Sequence, residues 1–187
     1  MPDVSDIAPD FTLPSTDGTD VTLSSLRPAA VVLFFYPRDN TPGCTKESIG
    51  FSELSQDFEA CGTKVFGISK DSMASHEKFI AKRDLTVPLL SDENGQVCET
   101  YGVWKEKKMY GKTFQGIIRS TFLFDGQGAV VHAWPKVRVK GHVDNVLAVA
   151  REPVRDERAD GRNGEDAEGP RRLPKGPLRV CEPECAK

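Results

Sequence analysis

Three features of this sequence predict an α/β domain with a mixed central sheet and helices on both faces. The apolar run Val31–Phe35 is continuous, as expected of a strand covered on both sides. Segments of helical spacing alternate with short apolar runs after it, the order that builds parallel strand pairs. Toward the end, "GIIRSTFLFD" and "AVVHAW" are joined through Asp125–Gly128, which is hairpin chemistry and adds antiparallel strands.

Each element has its own reason. "DFTLPSTDGTDVTLSSL" alternates apolar and polar residues around Asp17-Gly18, the pattern of a short hairpin ahead of the core. The core strand then leaves through Pro37 and Pro42-Gly43. Beyond that turn Phe51, Leu54 and Phe58 fall at helical spacing, so a helix carrying Cys44 on its first turn is expected to run to about Ala60. "KVFGIS" is the next strand, and Ser72 is a fitting N-cap for a helix through Phe79 and Ile80. "VPLLSD" follows, then a short helix around Val97 and Tyr101, the two long strands named above, and an amphipathic helix over Val143–Arg151. That order, βαβ, βα, then hairpin and helix, belongs to the thioredoxin-like class.

Composition bounds the rest. A chain of 187 residues with 38% hydrophobic content can bury one core, placed here in residues 1–150. From 151 to 187 the sequence is about half charged, rich in Pro and Gly and nearly free of large apolar residues, so a disordered tail carrying Cys181 and Cys185 is expected there. A net charge of -3 without a basic cluster in the globular part argues against nucleic acid or anionic membrane as partner. The N-terminus has neither a basic nor an apolar leader region, and the longest apolar run, Ala29–Tyr36, is far shorter than the roughly 20 residues a membrane span needs. A soluble cytoplasmic protein is therefore expected. Five cysteines at irregular spacing do not make a secreted disulfide framework, so each thiol is either inert core or chemistry.

Cys44 is the one placed for chemistry. Only the thiolate is a nucleophile, and free cysteine, with a pKa of about 8.5, is mostly protonated near neutrality. A helix N-terminus favours the anion through its unpaired N–H groups and dipole. Gly43 lets backbone amides approach the sulfur, and the Thr41 hydroxyl, three residues upstream, could donate to the thiolate and to an incoming oxygen. The alternative is a plain strand-to-helix turn with Cys44 as a small buried apolar residue. A dithiol oxidoreductase would carry C-x-x-C at this junction; here Thr41 stands at the first position, closing that route. Arg119 is the only charge in "GIIRSTFLF" and needs a partner unless it lies on an edge and reaches solvent. Lys46 and Glu47 fit a solvated first turn, although Glu47 could pair with Arg119. His76, His132 and His142 are scattered and read as surface or strand residues rather than ligands, and no further ligand pair accompanies Cys181 and Cys185, so no metal and no cofactor are expected.

The stretch Pro37–Cys44 in "FFYPRDNTPGCTKE" resembles the peroxidatic signature of peroxiredoxins, specifically the peroxiredoxin Q or bacterioferritin comigratory protein group. "VSDIAPDFTLPSTDG", "GISKDS", "LLSDENGQVCETYGVW" and "GIIRSTFLFDGQG" extend the likeness over Ile7 to about Ala150. The resemblance implies thiol-dependent reduction of hydrogen peroxide and organic hydroperoxides. By that pattern Cys44 attacks the O–O bond and becomes a sulfenic acid, Thr41 holds the substrate oxygens, Pro37 shields the sulfenate, and Arg119 stabilises the thiolate and the developing charge.

The pattern breaks at the second thiol. Family members commonly carry a resolving cysteine five residues after the first or on the helix that here contains "KFIAKRD"; this chain has Ile49 and Ile80 there. Cys61 closes the Cys44 helix and could reach the sulfur only by unravelling it, and Cys98 fits a core residue. Cys181 and Cys185 sit about 30 residues beyond the domain, a flexible reach of roughly 30 Å, so a tail thiol could resolve the sulfenic acid. Otherwise a small thiol or thioredoxin does so in a one-cysteine mechanism. Two rivals of other classes stand beside the enzyme: a peroxide sensor or adaptor relaying Cys44 oxidation to a partner, and a binding domain that keeps the fold without the chemistry. A monomer is the family-based expectation.

Overall fold

The chain opens with the expected hairpin, β1 (Thr12–Pro14) antiparallel to β2 (Asp20–Thr22), around a turn in which Gly18 takes a φ of 85° that suits glycine. The structure, a computed structural model, describes residues 1–109 and 112–152. Strand β3 (Ala30–Phe35) leads into helix α1 (Pro42–Glu53), then α2 (Ser55–Ala60), β4 (Thr63–Ser69), α3 (Met73–Arg83), β5 (Leu89–Ser91) and α4 (Gln96–Thr100). A second hairpin, β6 (Trp104–Met109) and β7 (Lys112–Ile117), precedes β8 (Ser120–Phe124), β9 (Val130–Trp134) and α5 (His142–Ala150). The expected tail and its Cys181 and Cys185 lie outside the described residues.

Five strands form the central sheet in the order β5-β4-β3-β8-β9, with β3, β4 and β5 parallel and β8 and β9 antiparallel. Strand β3 is the middle of it. Because side chains alternate across a strand, Val31, Leu33 and Phe35 enter one buried cluster and Val32, Phe34 and Tyr36 the other. The first cluster is closed by the β1–β2 hairpin, Ile117 and α4, through Val97, Cys98 and Tyr101. The second holds Phe51, Phe58, Phe79, Val143 and Val146 from α1, α2, α3 and α5. Phe34 stacks on Phe51 with ring centroids 4.4 Å apart, tying α1 to β3. Each such fully buried ring contributes roughly 1.5–3 kcal/mol over leaving it exposed.

Two expected elements are divided. The helix from Cys44 to Ala60 breaks at Leu54, where the Ser52 carbonyl accepts a hydrogen bond from the Thr86 hydroxyl at 3.1 Å instead of serving the helix alone. "GIIRSTFLFD" is likewise not one strand. Its first part is drawn into the separate β6–β7 hairpin, and Arg119 lies between β7 and β8, where its carbonyl accepts from the Val137 amide at 2.9 Å.

Candidate active site

The sheet register brings Arg119 to Cys44. Ser120 pairs with Phe35, so the residue before β8 arrives at the end of β3 from which the Tyr36–Thr41 turn departs. That turn bends through Asn40 at φ 56°, a left-handed conformation that asparagine tolerates. Helix α1 then starts with Pro42 in its first turn, where the missing N–H costs nothing, and the first helical bond runs from Thr45 N to Thr41 O at 2.9 Å. Cys44 is the third residue of α1, 1% exposed, among the free amides at the helix start.

One guanidinium serves two acceptors. Arg119 Nη2 donates to Cys44 Sγ at 3.2 Å while Nη1 forms an ion pair with Glu47 Oε2. Glu47 lies one turn after Cys44 and is fully buried, so it is not the solvated side chain that the first turn suggested; the pairing with Arg119 is the one realised. Burial pushes its carboxyl up to about 7 against the pull of Arg119, and Oε1 has no partner among the described residues. Burial also lowers Arg119, but Glu47 and Cys44 outweigh it and raise the guanidinium further. Gly43 leaves the space this needs, since a Cβ there would sit 3.2 Å from Arg119 Nη2. A second cation, Lys107 of β6, donates to the Ile117 carbonyl two residues before Arg119, and its ammonium is pushed down by burial and then by the Arg119 charge.

The other sequence candidates are placed as follows. Thr41 caps the backbone of α1, and its hydroxyl donates to the Arg38 carbonyl at 3.1 Å rather than to the sulfur. Pro37 is exposed at the end of β3. Ile49 and Ile80, at the two positions of the expected second cysteine, pack against the helix-side core. Cys61 follows α2 and donates to the Phe58 carbonyl at 3.1 Å. Cys98 is fully buried on α4, where burial and then Asp92 push its thiol far above the ordinary range.

Two histidines are not the surface residues expected. His142 begins α5, is 6% exposed and bonds through Nε2 to the Thr121 hydroxyl at 2.8 Å; burial and then the Arg119 charge hold it down at about 4. His76 on α3 is wholly buried, with Nδ1 3.0 Å from Asp39 Oδ2. The Tyr36 hydroxyl donates to Asp39 Oδ1 at 2.8 Å and the Ser75 hydroxyl to Oδ2 at 2.7 Å. His76, Phe79 and Ile80 stand at i, i+3, i+4, which is the signal that would have put this histidine on the buried face. His132 is a strand residue of β9, as expected. Among the described residues, no group of three His, Cys, Asp or Glu side chains could hold a metal ion.

Comparison with known proteins decides the lineage. The AhpC/TSA family pattern matches residues 4–133. The chain belongs to the AhpC/TSA family. Within it the chain is a peroxiredoxin of the Bcp, or peroxiredoxin Q, group: it is 46% identical over 142 residues to peroxiredoxin Bcp of Xanthomonas campestris, covering 76% of this chain and 89% of that one. Peroxiredoxin Bcp of Escherichia coli is 42% identical over 142 residues, covering 76% and 91%. Among solved structures, peroxiredoxin Q of Xanthomonas campestris superposes with a TM-score of 0.72 at 45% identity, covering 75% of this chain and 89% of that one. A Xylella fastidiosa PrxQ mutant gives 0.75 at 39% identity, covering 79% and 94%. This peroxiredoxin is thus a thiol-dependent peroxidase with the thioredoxin-like fold the sequence predicted. No helix among the described residues is long and apolar enough to cross a membrane.

Proposed function

We propose that Cys44 is the peroxide-reacting residue of this thiol peroxidase, that Arg119 activates it, and that the oxidised sulfur is reduced by a thiol from outside the domain. The observation that carries this is the 3.2 Å hydrogen bond from Arg119 Nη2 to Cys44 Sγ at the start of α1. The cation and the helix amides meet the negative charge of the reacting sulfur and oxygens as the O–O bond breaks. The thiolate bonds to one peroxide oxygen, the bond to the second oxygen breaks, and that oxygen leaves as water or alcohol on taking a proton. Cys44 is left as sulfenic acid. Thr41, at the start of α1, turns its hydroxyl from the Arg38 carbonyl to the substrate oxygens and holds them, and Pro37 screens the sulfur from bulk water.

Hydrogen peroxide and organic hydroperoxides are the proposed substrates, and alkyl peroxide reduction activity is named for the Xanthomonas campestris bacterioferritin comigratory protein. Apolar Ile49 and Ile80 support reduction by thioredoxin or a small thiol, with Cys181 or Cys185 as the internal alternative. The catalytic domain is assigned to 1–150 and the charged tail to 151–187, in a monomer working in the cytoplasm, a compartment that supplies reduced thiols.

Turnover of hydrogen peroxide by the full-length protein and by its Cys181→Ser/Cys185→Ser form, each with thioredoxin or with a small thiol, tests the recycling step. Equal turnover of the two forms establishes an external thiol. A loss in the double variant assigns resolution to the tail. If neither form passes one equivalent of peroxide with any donor, recycling by thiols is refuted and the one-shot sensor reading takes its place.

A further inference from the structure

We propose that Asp39 and His76 form a clamp that holds the Cys44 turn against α3 and so fixes the approach of Cys44 to Arg119. This rests on the reading of Cys44 as the peroxide-reacting residue. The turn from Tyr36 to Thr41 sets where α1 begins, and hence where Cys44 meets Arg119. At its middle the Asp39 carboxylate gathers three side chains, Tyr36, Ser75 and His76. Asp39 Oδ1 accepts from the Tyr36 hydroxyl at 2.8 Å, Oδ2 accepts from the Ser75 hydroxyl at 2.7 Å, and His76 Nδ1 lies 3.0 Å from Oδ2 and 3.2 Å from Oδ1. A carboxylate only accepts, so Nδ1 carries the proton and donates. The backbone is held too, since Asp39 N donates to Asp71 Oδ2 at 2.9 Å and the Ser69 hydroxyl donates to the same oxygen at 2.8 Å. Burial raises the Asp39 carboxyl, but the bonds from His76 and Ser75 outweigh it and hold it below the ordinary value, as expected of a carboxylate kept ionised by its donors.

The clamp is expensive to build and has no other evident use. A histidine with 0% exposure and an aspartate at 7% are buried beside Tyr36, whose ring stacks on Phe34, where a well-packed apolar group would serve stability equally. What the polar group supplies instead is a fixed position for the middle of the turn, between the strand-type bond from Tyr36 N to Ile68 O and the first helical bond at Thr41. Cys44 is 1% exposed in this closed shape. A turn released from the clamp would expose the sulfur and carry it away from Arg119. Asp39 and His76 are positioning residues: they act on the sulfur through the turn and touch neither substrate nor the reacting atoms.

Two rates at Cys44, each read by peptide mass on the full-length protein, test this: oxidation by hydrogen peroxide and labelling by a bulky biotin-maleimide. His76→Leu keeps the volume and removes the donor; one charge-assisted hydrogen bond is worth about tenfold in rate, so oxidation should fall about tenfold and labelling rise about tenfold. His76→Asn, whose amide N–H takes the place of Nδ1–H, should recover most of both. Where His76→Leu fails to fold by circular dichroism, Ser75→Ala removes the 2.7 Å bond to Oδ2 and should move both rates the same way by about threefold. Both rates unchanged within twofold, or an asparagine variant as impaired as the leucine one, overturns the clamp. A wild-type Cys44 that peroxide leaves unmodified overturns the underlying reading and the clamp with it.

Discussion

Arg119→Met is the substitution whose effect on turnover follows most directly from the geometry. Methionine keeps the apolar stem of the side chain and removes both bonds of the fork, the one to Cys44 Sγ at 3.2 Å and the one to Glu47 Oε2. A hydrogen bond to a charged acceptor is worth about 1.5–3 kcal/mol, and 1.36 kcal/mol is tenfold in rate, so the peroxide step should slow by about 10- to 150-fold. The same change strands Glu47 inside the protein, and breaking a buried pair costs about 3–5 kcal/mol of stability when the remaining charge stays ionised. With its carboxyl at about 7 even beside Arg119, Glu47 will take up a proton instead, which limits that loss. The clean comparison is therefore Glu47→Gln against Arg119→Met/Glu47→Gln, where no buried carboxylate is left. The assay is the second-order rate of peroxide consumption by reduced protein in stopped flow, with folding checked by thermal melting. Arg119→Lys keeps the charge but cannot reach both acceptors with one fork, and it should fall between. A double variant within threefold of Glu47→Gln would refute the role given to Arg119.

Three further outcomes are expected. Glu47, raised to about 7, binds a proton more readily folded than unfolded, so its contribution falls as pH rises from about 4.5 to 7; His142, held near 4, is neutral in the fold while an unfolded histidine is charged, so its contribution rises from about 4 to 6.5. The two slopes oppose, each worth roughly 3 kcal/mol if complete, and denaturant titrations should find wild-type stability nearly flat across pH 4.5–6.5 but rising with pH in Glu47→Gln; a Glu47→Gln profile as flat as wild type would contradict the assignment. Gly43→Ala puts a Cβ 3.2 Å from Arg119 Nη2 and should slow the peroxide step by about tenfold, the value of one charge-assisted bond, with little change in melting temperature. Cys98→Ala removes a thiol that burial keeps protonated, so it should leave peroxide turnover intact and cost only stability; a loss of turnover at constant fold would give Cys98 a part in the cycle.

What the sequence made legible were the features written in neighbouring residues. The buried run of β3, the Asp17-Gly18 turn and the Pro42-Gly43-Cys44 helix start each carry their own signal, and all three fold as expected. Arg119 was visible as a lone charge among apolar residues, but its partner Glu47 was not fixed by sequence, because the pairing depends on Ser120 standing opposite Phe35 in a sheet formed across 85 residues. The single strand expected through Ile117–Phe124 failed for a related reason. Its apolar pattern is continuous, and only the competing partner, β6, draws the first part away. His76 departs from the surface expectation because a histidine alone has no preferred side; its burial is set by Asp39, a turn residue 37 positions earlier.

The most direct measurement is peptide-mapped mass spectrometry of the reduced full-length protein after one equivalent of hydrogen peroxide, with free thiols blocked at once. The structure predicts that oxygen enters at Cys44, found as sulfenic acid or as a disulfide from it, while Cys61 and Cys98 remain free thiols. An unmodified Cys44 in a protein that has consumed the peroxide would contradict the account at its centre.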